Sequence, residues 1–215
     1  MGIIRNGILG GFSNKTGPLV GVVRKKLNII KSLPVKTKKP PTPSQLLQRR
    51  KMSLVSSFLS EISELTDMGF TTLRGISDAW NAAIAYNLKH GIKYDGLDLT
   101  FDYTKLSFSR GKLALPENTA IEALADHSVE FSWIYDGTEN YDRTPGDQCT
   151  VLVYNPEKHR FVYQINAALR VDKFYVLQLP ESFTGDIVYC YLSLISIKNK
   201  RLVSPSTYIG QTVVI

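Results

Sequence analysis

The stretch Gly10-Gly11-Phe12-Ser13-Asn14-Lys15-Thr16 is the chain's nearest approach to a phosphate-binding loop. Such a loop needs glycine at both ends of a four-residue gap before Lys-Ser/Thr, because backbone N–H groups must wrap the phosphates within reach of the lysine. Leu9 and Asn14 hold those two positions, and no strand–helix pattern of a parallel sheet follows. Nucleotide hydrolysis is therefore not expected. Nucleophile elbows, zinc-binding helices and dinucleotide fingerprints are also missing from the sequence.

The carboxylates that recur closely are Glu117 with Glu122, and Asp136, Glu139 and Asp142. They fall in turn-like segments, where solvation is the default, whereas glycosidase chemistry needs two carboxylates fixed about 5–10 Å apart in a cleft. His90, His127 and His159 lie far apart without metal-ligand spacing, so no metal or other cofactor is implied. Cys149 and Cys190 each sit in an apolar, strand-like run. Both read as small buried hydrophobes, with a bridge between sheets open only if they face each other. The chain is read as a non-enzyme.

Charge is the stronger signal. The 215-residue chain carries net charge +7, and all of that excess is at the front. Residues 1–60 hold 12 basic and no acidic residues, whereas the remaining 155 hold 14 basic and 19 acidic. A front of +12 joined to a body of −5 calls for an anionic partner. Lys15, Arg24, Lys25, Lys26, Lys31, Lys36, Lys38, Lys39, Arg49, Arg50 and Lys51 are the candidate nucleic-acid-binding residues. Phe12 is the one aromatic before the helical segment, so contact with backbone phosphates is expected rather than base stacking. Apolar residues interleaved with these cations, such as Ile8, Leu19, Val22 and Val23, suggest docking on a neighbouring subunit or the body.

The elements that must position these residues fall into three spans. Residues 1–42 read as a basic, Gly/Pro-rich arm and linker, extended or looped, with polyproline character from Pro34 to Pro43. Residues 43–93 read as a helical segment. Thr42 is the expected N-cap, Pro43 the first helical residue and Gln45 the capping-box partner of a helix running to Met68-Gly69. Arg49, Arg50 and Lys51 then oppose the helix dipole, which hints at an anion near that end. A second helix is expected from Ser77, as cap, to His90, stopped by Gly91.

Residues 94–215 read as β. Strands are expected over 97–103, 105–109, 128–135, 148–154, 160–165, 173–179, 186–196 and 206–215. Val129, Phe131, Trp133 and Tyr135 alternate, as do Val188, Cys190, Leu192 and Leu194, so each strand should have one core face. The fold class is thus α+β, mainly β: a basic N-terminal arm, a two-helix segment and an antiparallel immunoglobulin/fibronectin III-like β-sandwich. Trp133 is the expected buried strand tryptophan, and 179–186 the corner between sheets, with Tyr189 or Tyr191 making a tyrosine-corner hydrogen bond. The polar loop 136–147, with Tyr141 at its centre, reads first as a solvated loop, and otherwise as a place to recognise a partner or accept the basic arm of another copy.

Residues 7–21 (Gly-Ile-Leu-Gly-Gly-Phe-Ser-Asn-Lys-Thr-Gly-Pro-Leu-Val-Gly), 30–34, 43–50, 82–89, 106–111 and 185–192 resemble an uncharacterised protein family found chiefly in Bacteroidota genomes. The resemblance spans nearly the whole chain and implies no activity. Asn14 stands where such proteins more often have glycine, and Arg24-Lys25 where tryptophan-lysine is common.

These features predict a structural or assembly protein of virion or particle type. Its basic arm would contact nucleic acid or neighbouring subunits while the sandwich mediates packing. A homo-oligomer or larger assembly without membrane contact is expected, in the cytoplasm or a phage-derived particle, because no apolar run reaches membrane-spanning length. The alternatives are a sequence-tolerant bacterial nucleic-acid-binding protein and a carbohydrate- or surface-binding sandwich module.

Overall fold

The structure, a computed structural model, describes residues 3–4, 11–24, 27–35, 39–71, 78–96, 98–137 and 143–215. The chain divides into two compact units, Met1–Thr42 and Pro43–Ile215.

In the first unit, β1 (Ile3–Ile4), β2 (Phe12–Thr16), β3 (Leu19–Arg24) and β4 (Leu27–Ser32) form one antiparallel sheet in sequence order. The expected extended or looped arm is thus corrected to a meander. Among the described residues the glycines that hide any periodicity serve its turns and contacts. Gly17 takes φ +57° in the β2–β3 turn, and a Cβ on Gly21 would fall 2.6 Å from the Phe12 ring. Among the described residues this unit has no second layer of its own. Val23, Leu27 and Ile30 stay 56%, 66% and 61% exposed. Of the expected linker, residues 36–38 lie outside the described residues.

The second unit opens with α1 (Pro43–Ser60), α2 (Ser63–Gly69) and α3 (Ala79–His90). The single helix expected up to Gly69 breaks at Glu61-Ile62, where the chain turns and Leu65 continues the buried stripe. Ser77 lies outside the described residues, and Asp78 holds the N-cap position of α3. Gly91 closes α3 as expected, its N–H donating to Asn87 O.

A short hairpin follows, β5 (Ile92–Tyr94) with β6 (Leu99–Phe101). Then come β7 (Glu117–Leu124), β8 (Ser128–Ile134), β9 (Gln148–Asn155), β10 (Arg160–Leu169), β11 (Phe174–Gln178), β12 (Ile187–Ile195) and β13 (Thr207–Val213). They build two antiparallel sheets, ordered β11-β8-β7 and β10-β9-β12-β13. Three strands facing four, with the chain crossing between sheets after β8, β10 and β11, make an immunoglobulin-like β-sandwich. The 179–186 segment is the expected corner, joining β11 to β12 through a single turn of 3₁₀ helix.

Two apolar layers flank the four-stranded sheet. Val129, Phe131, Trp133, Val151, Cys190 and Leu192 fill the space between the sheets. Leu152, Tyr154 and Tyr191 point the other way, into a second core with Val55, Leu59, Ile84 and Phe108. The helices therefore cover one outer sheet face, and the strands beneath them are apolar on both sides.

Residues 105–109 are not a strand. Their backbone is bound by side chains instead: Asn87 Nδ2 donates to Ser107 O (2.7 Å), Asn87 Oδ1 accepts from Ser107 N (3.0 Å), and Ser206 Oγ accepts from Phe108 N (3.1 Å). These bonds use groups that a neighbouring strand would have taken.

Candidate nucleic-acid interface and an aromatic cleft

The sheet register brings two of the predicted cations together. Lys15 pairs with Val20, and Val20 pairs with Lys31. Directly opposed residues in antiparallel strands share a face, so Lys15, Val20 and Lys31 form one row across β2, β3 and β4. Both lysines are exposed. Val22 and Ile29 form the next row, and Arg24 and Leu27 are paired beyond them. The face is mixed, with cations bordering aliphatic side chains. Lys39 is also exposed in this unit, while Lys25, Lys26, Lys36 and Lys38 lie outside the described residues.

Arg49, Arg50 and Lys51 sit on α1 in the second unit. They begin six residues beyond Pro43, outside the first turn to which the dipole effect is confined, so the expected conflict with the dipole disappears. Lys51 Nζ lies 5.6 Å above the Tyr94 ring, and Arg50 borders a groove with Ser53, Leu54, Ser57 and Leu99.

That groove leads into a cleft of about 450 Å³, walled by α1, β6 and the β9–β10 hairpin. Phe58 anchors it, with ring centroids 4.5 Å from Phe101, 5.0 Å from Tyr154 and 4.9 Å from Phe161. Such tilted and edge-on pairs add about 0.5–1.5 kcal/mol each beyond area burial. Tyr154 OH is 3.3 Å from His159 Nδ1, and burial raises the phenol's pKa above its usual value. Glu61 and Ser57 add polar groups at the rim. The cleft offers aromatic surface, the Glu61 carboxylate and the His159 imidazole.

No local pattern in the sequence marks this cleft. Its signal lies instead in β9 and β12, whose runs Cys149-Thr-Val-Leu-Val-Tyr154 and Val188-Tyr-Cys-Tyr-Leu192 are apolar on both faces. Strands of that kind are covered on both sides. The expected corner hydrogen bond is also re-routed. Tyr191 OH donates to Tyr103 O at 2.7 Å, tying the sheet to the segment after β6, while the Tyr189 ring stacks on Tyr103 at 4.2 Å.

The 136–147 loop departs from a solvated one at its end. Asp147 is fully buried and receives Arg170 Nε at 3.2 Å and Nη2 at 3.1 Å, while Thr144 donates from its backbone N–H (2.9 Å) and hydroxyl (2.6 Å). Arg170 Nη2 also donates to Ala114 O, and Trp133 Nε1 donates to Arg170 O at 2.8 Å. Desolvation dominates at Arg170 and lowers the pKa of its guanidinium, while Asp147 opposes that effect. Trp133 is buried as expected, at 3% exposure, and Arg143 joins Glu117 to Asp136 at the surface. Tyr141, Glu139 and Asp142 lie outside the described residues.

Cys149 and Cys190 are both buried thiols facing the inter-sheet core. They stand on the adjacent strands β9 and β12 of one sheet, opposite Leu194 and Val153 respectively, so a bridge between sheets is ruled out by placement.

Fold and site together define a protein with a small basic sheet as one unit and a helix-faced immunoglobulin-like sandwich as the other. Residues 11–210 match DUF6266, a family of unknown function, and the chain belongs to that family. No curated protein matches the chain. Among solved structures it is similar to the FN1–FN3 domains of chicken CNTN1, with 13% identity, TM-score 0.33, and coverage of 48% of this chain and 32% of that one. It is also similar to the fn3 domain of human collagen alpha-1(XX), with 20% identity, TM-score 0.31, and coverage of 50% and 90%. The chain spans about a third of the first of these structures.

Proposed function

We propose that this chain is a non-enzymatic structural or assembly protein, of the kind that builds a virion or other particle. Its basic N-terminal unit is the arm that grips an anionic partner, nucleic acid or a neighbouring subunit, and its sandwich packs between copies. The observation that carries this reading is the charge split: 12 cations and no anions in residues 1–60, against a body with 14 and 19. The Lys15–Val20–Lys31 row, both lysines exposed and Val20 half-buried, supports it, since it offers point charges and apolar contact on one face. Twelve like charges in one short span repel one another until an anion is near.

Binding of the full-length chain to random-sequence duplex DNA tests the nucleic-acid arm. If six to ten phosphates are neutralised, affinity falls by roughly 10³–10⁵ between about 50 and 200 mM salt, whatever the sequence. Lys15→Glu with Lys31→Glu should flatten that salt slope. Salt-dependent DNA binding by a chain that stays monomeric would favour the second reading, a sequence-tolerant nucleic-acid-binding protein with the sandwich as a passive body. An unchanged salt slope in the Lys15→Glu/Lys31→Glu chain would contradict a role for this face in binding.

A further inference from the structure

We propose that the outer face of the β11-β8-β7 sheet is an interface, and that its occupant is the basic N-terminal sheet of a second copy of this chain. The inference rests on the assembly reading and names the surface that completes it.

The four-stranded sheet of the sandwich has helices over its outer side, but among the described residues the three-stranded sheet has no such cover. Val129, Phe131 and Trp133 point inward from β8, which turns Glu130, Ser132 and Ile134 outward. Register then places Glu122 of β7 and Val176 of β11 on either side of Glu130 in one row. Phe174 stands in the next row, opposite Ser132. Phe174, Ile134 and Val176 are 57%, 52% and 39% exposed.

Two features of that face are costly in isolation. Aliphatic and aromatic surface meets water, and two carboxylates lie directly opposite each other across a strand pair, which destabilises a sheet. Among the described residues neither Glu122 nor Glu130 has an ion-pair partner. A partner that brought cations set among aliphatic side chains would relieve both costs at once.

The N-terminal unit carries that pattern. Its Lys15–Val20–Lys31 row is three strands wide, as is the Glu122–Glu130–Val176 row, and Val22 with Ile29 continue the apolar surface beside it. With Val23, Leu27 and Ile30 exposed, the N-terminal sheet has apolar surface to cover, and sheets stack face to face about 10 Å apart. Opposite charges fix which faces meet. Because the two contacting surfaces differ, the contact is head-to-tail: each copy presents both halves, and the assembly grows or closes as a ring.

The test uses the full-length chain and reads self-association by sedimentation velocity in low salt. Glu122→Lys with Glu130→Lys, and separately Lys15→Glu with Lys31→Glu, should each weaken self-association by about tenfold or more. Mixing the two reversed chains should restore association to within about threefold of the unmodified chain. Near-UV circular dichroism checks that each variant is folded, and Glu122→Gln with Glu130→Gln provides a milder second variant that should weaken association in the same direction. If both reversed chains associate like the unmodified one, or if mixing restores nothing, the interface is wrong. If reversing the lysines abolishes assembly while reversing the glutamates does not, the assembly reading stands and this surface is overturned. If the lysine reversal removes DNA binding and leaves self-association intact, nucleic acid is the partner of the Lys15–Val20–Lys31 row and the proposal falls. An unmodified chain that stays monomeric at high concentration sinks both.

Discussion

Arg170 Nη2 lies 3.1 Å from Asp147 Oδ2, and both side chains are sealed from solvent, at 1% and 0% exposure. The pair joins the start of β9 to the turn between β10 and β11, so it connects the two sheets at one end of the sandwich. Asp147 is also bound by Thr144, and the Arg170 carbonyl receives the Trp133 indole. Removing one partner leaves the other charge buried without compensation.

Asp147→Ala is therefore expected to lower the unfolding free energy by about 3–5 kcal/mol, the usual cost of breaking a buried pair from one side. For a unit of this size that is a melting-temperature drop on the order of 10 °C. The double replacement Asp147→Leu/Arg170→Met should lose less than either single change. Thermal unfolding of the three variants checks the order, and a double variant worse than both singles would contradict it.

Thr150 gives a prediction of opposite sign. Among the described residues its hydroxyl is buried without a hydrogen-bond partner, and the void beside it, about 10 Å³, is at the lower limit for holding a water. Thr150→Val keeps the shape and removes an unpaired polar atom, so it should stabilise the fold by about 1 kcal/mol. The midpoint of urea unfolding reports this directly. A loss of stability would mean that a water fills the void.

Asp102 makes stability depend on acid. The Thr104 hydroxyl, donating at 2.7 Å, is the main cause that holds its carboxyl below the ordinary value of 3.8, and Lys93 and Lys105 at 3.3 and 3.4 Å add to it. A depressed folded-state pKa contributes stability that is present above 3.8 and lost as pH falls through the lower folded value. The melting temperature of the unmodified chain should thus fall more steeply below pH 3.8 than that of Asp102→Asn. Parallel curves for the two chains would remove Asp102 from the account.

Burial pushes the Cys149 and Cys190 thiols up to about 12. Since the thiolate is the reactive species, neither cysteine should react with a soluble disulfide reagent at neutral pH while the chain is folded. Both should react within minutes in denaturant. Rapid titration of the native protein would place at least one of them at the surface.

The sandwich was legible because its inward residues alternate strictly, Val129-Phe131-Trp133 and Val188-Cys190-Leu192. Helix boundaries were legible where a stop is chemical, as at Pro43 and Gly91. Strand β7 was not, since Glu117-Asn-Thr-Ala-Ile-Glu-Ala-Leu124 is rich in residues that do not favour strands, and pairing with β8 overrides that preference. The N-terminal sheet was hidden for a different reason. Its strands are short, its glycines interrupt every pattern, and neither face reads as a core. The cleft around Phe58 and Tyr154 depends on contacts between residues about a hundred positions apart, which no local spacing reveals.

The claim on which the account stands is that the positive N-terminal unit acts on another molecule. Native mass as a function of salt, for the full-length chain alone and with duplex DNA, tests it most directly. Multi-subunit species at about 50 mM salt that dissociate toward the 24.1 kDa monomer as salt approaches about 500 mM are the predicted result, because exposed charge contacts are screened over that range. A discrete 24.1 kDa species at every salt concentration, with and without DNA, would contradict it.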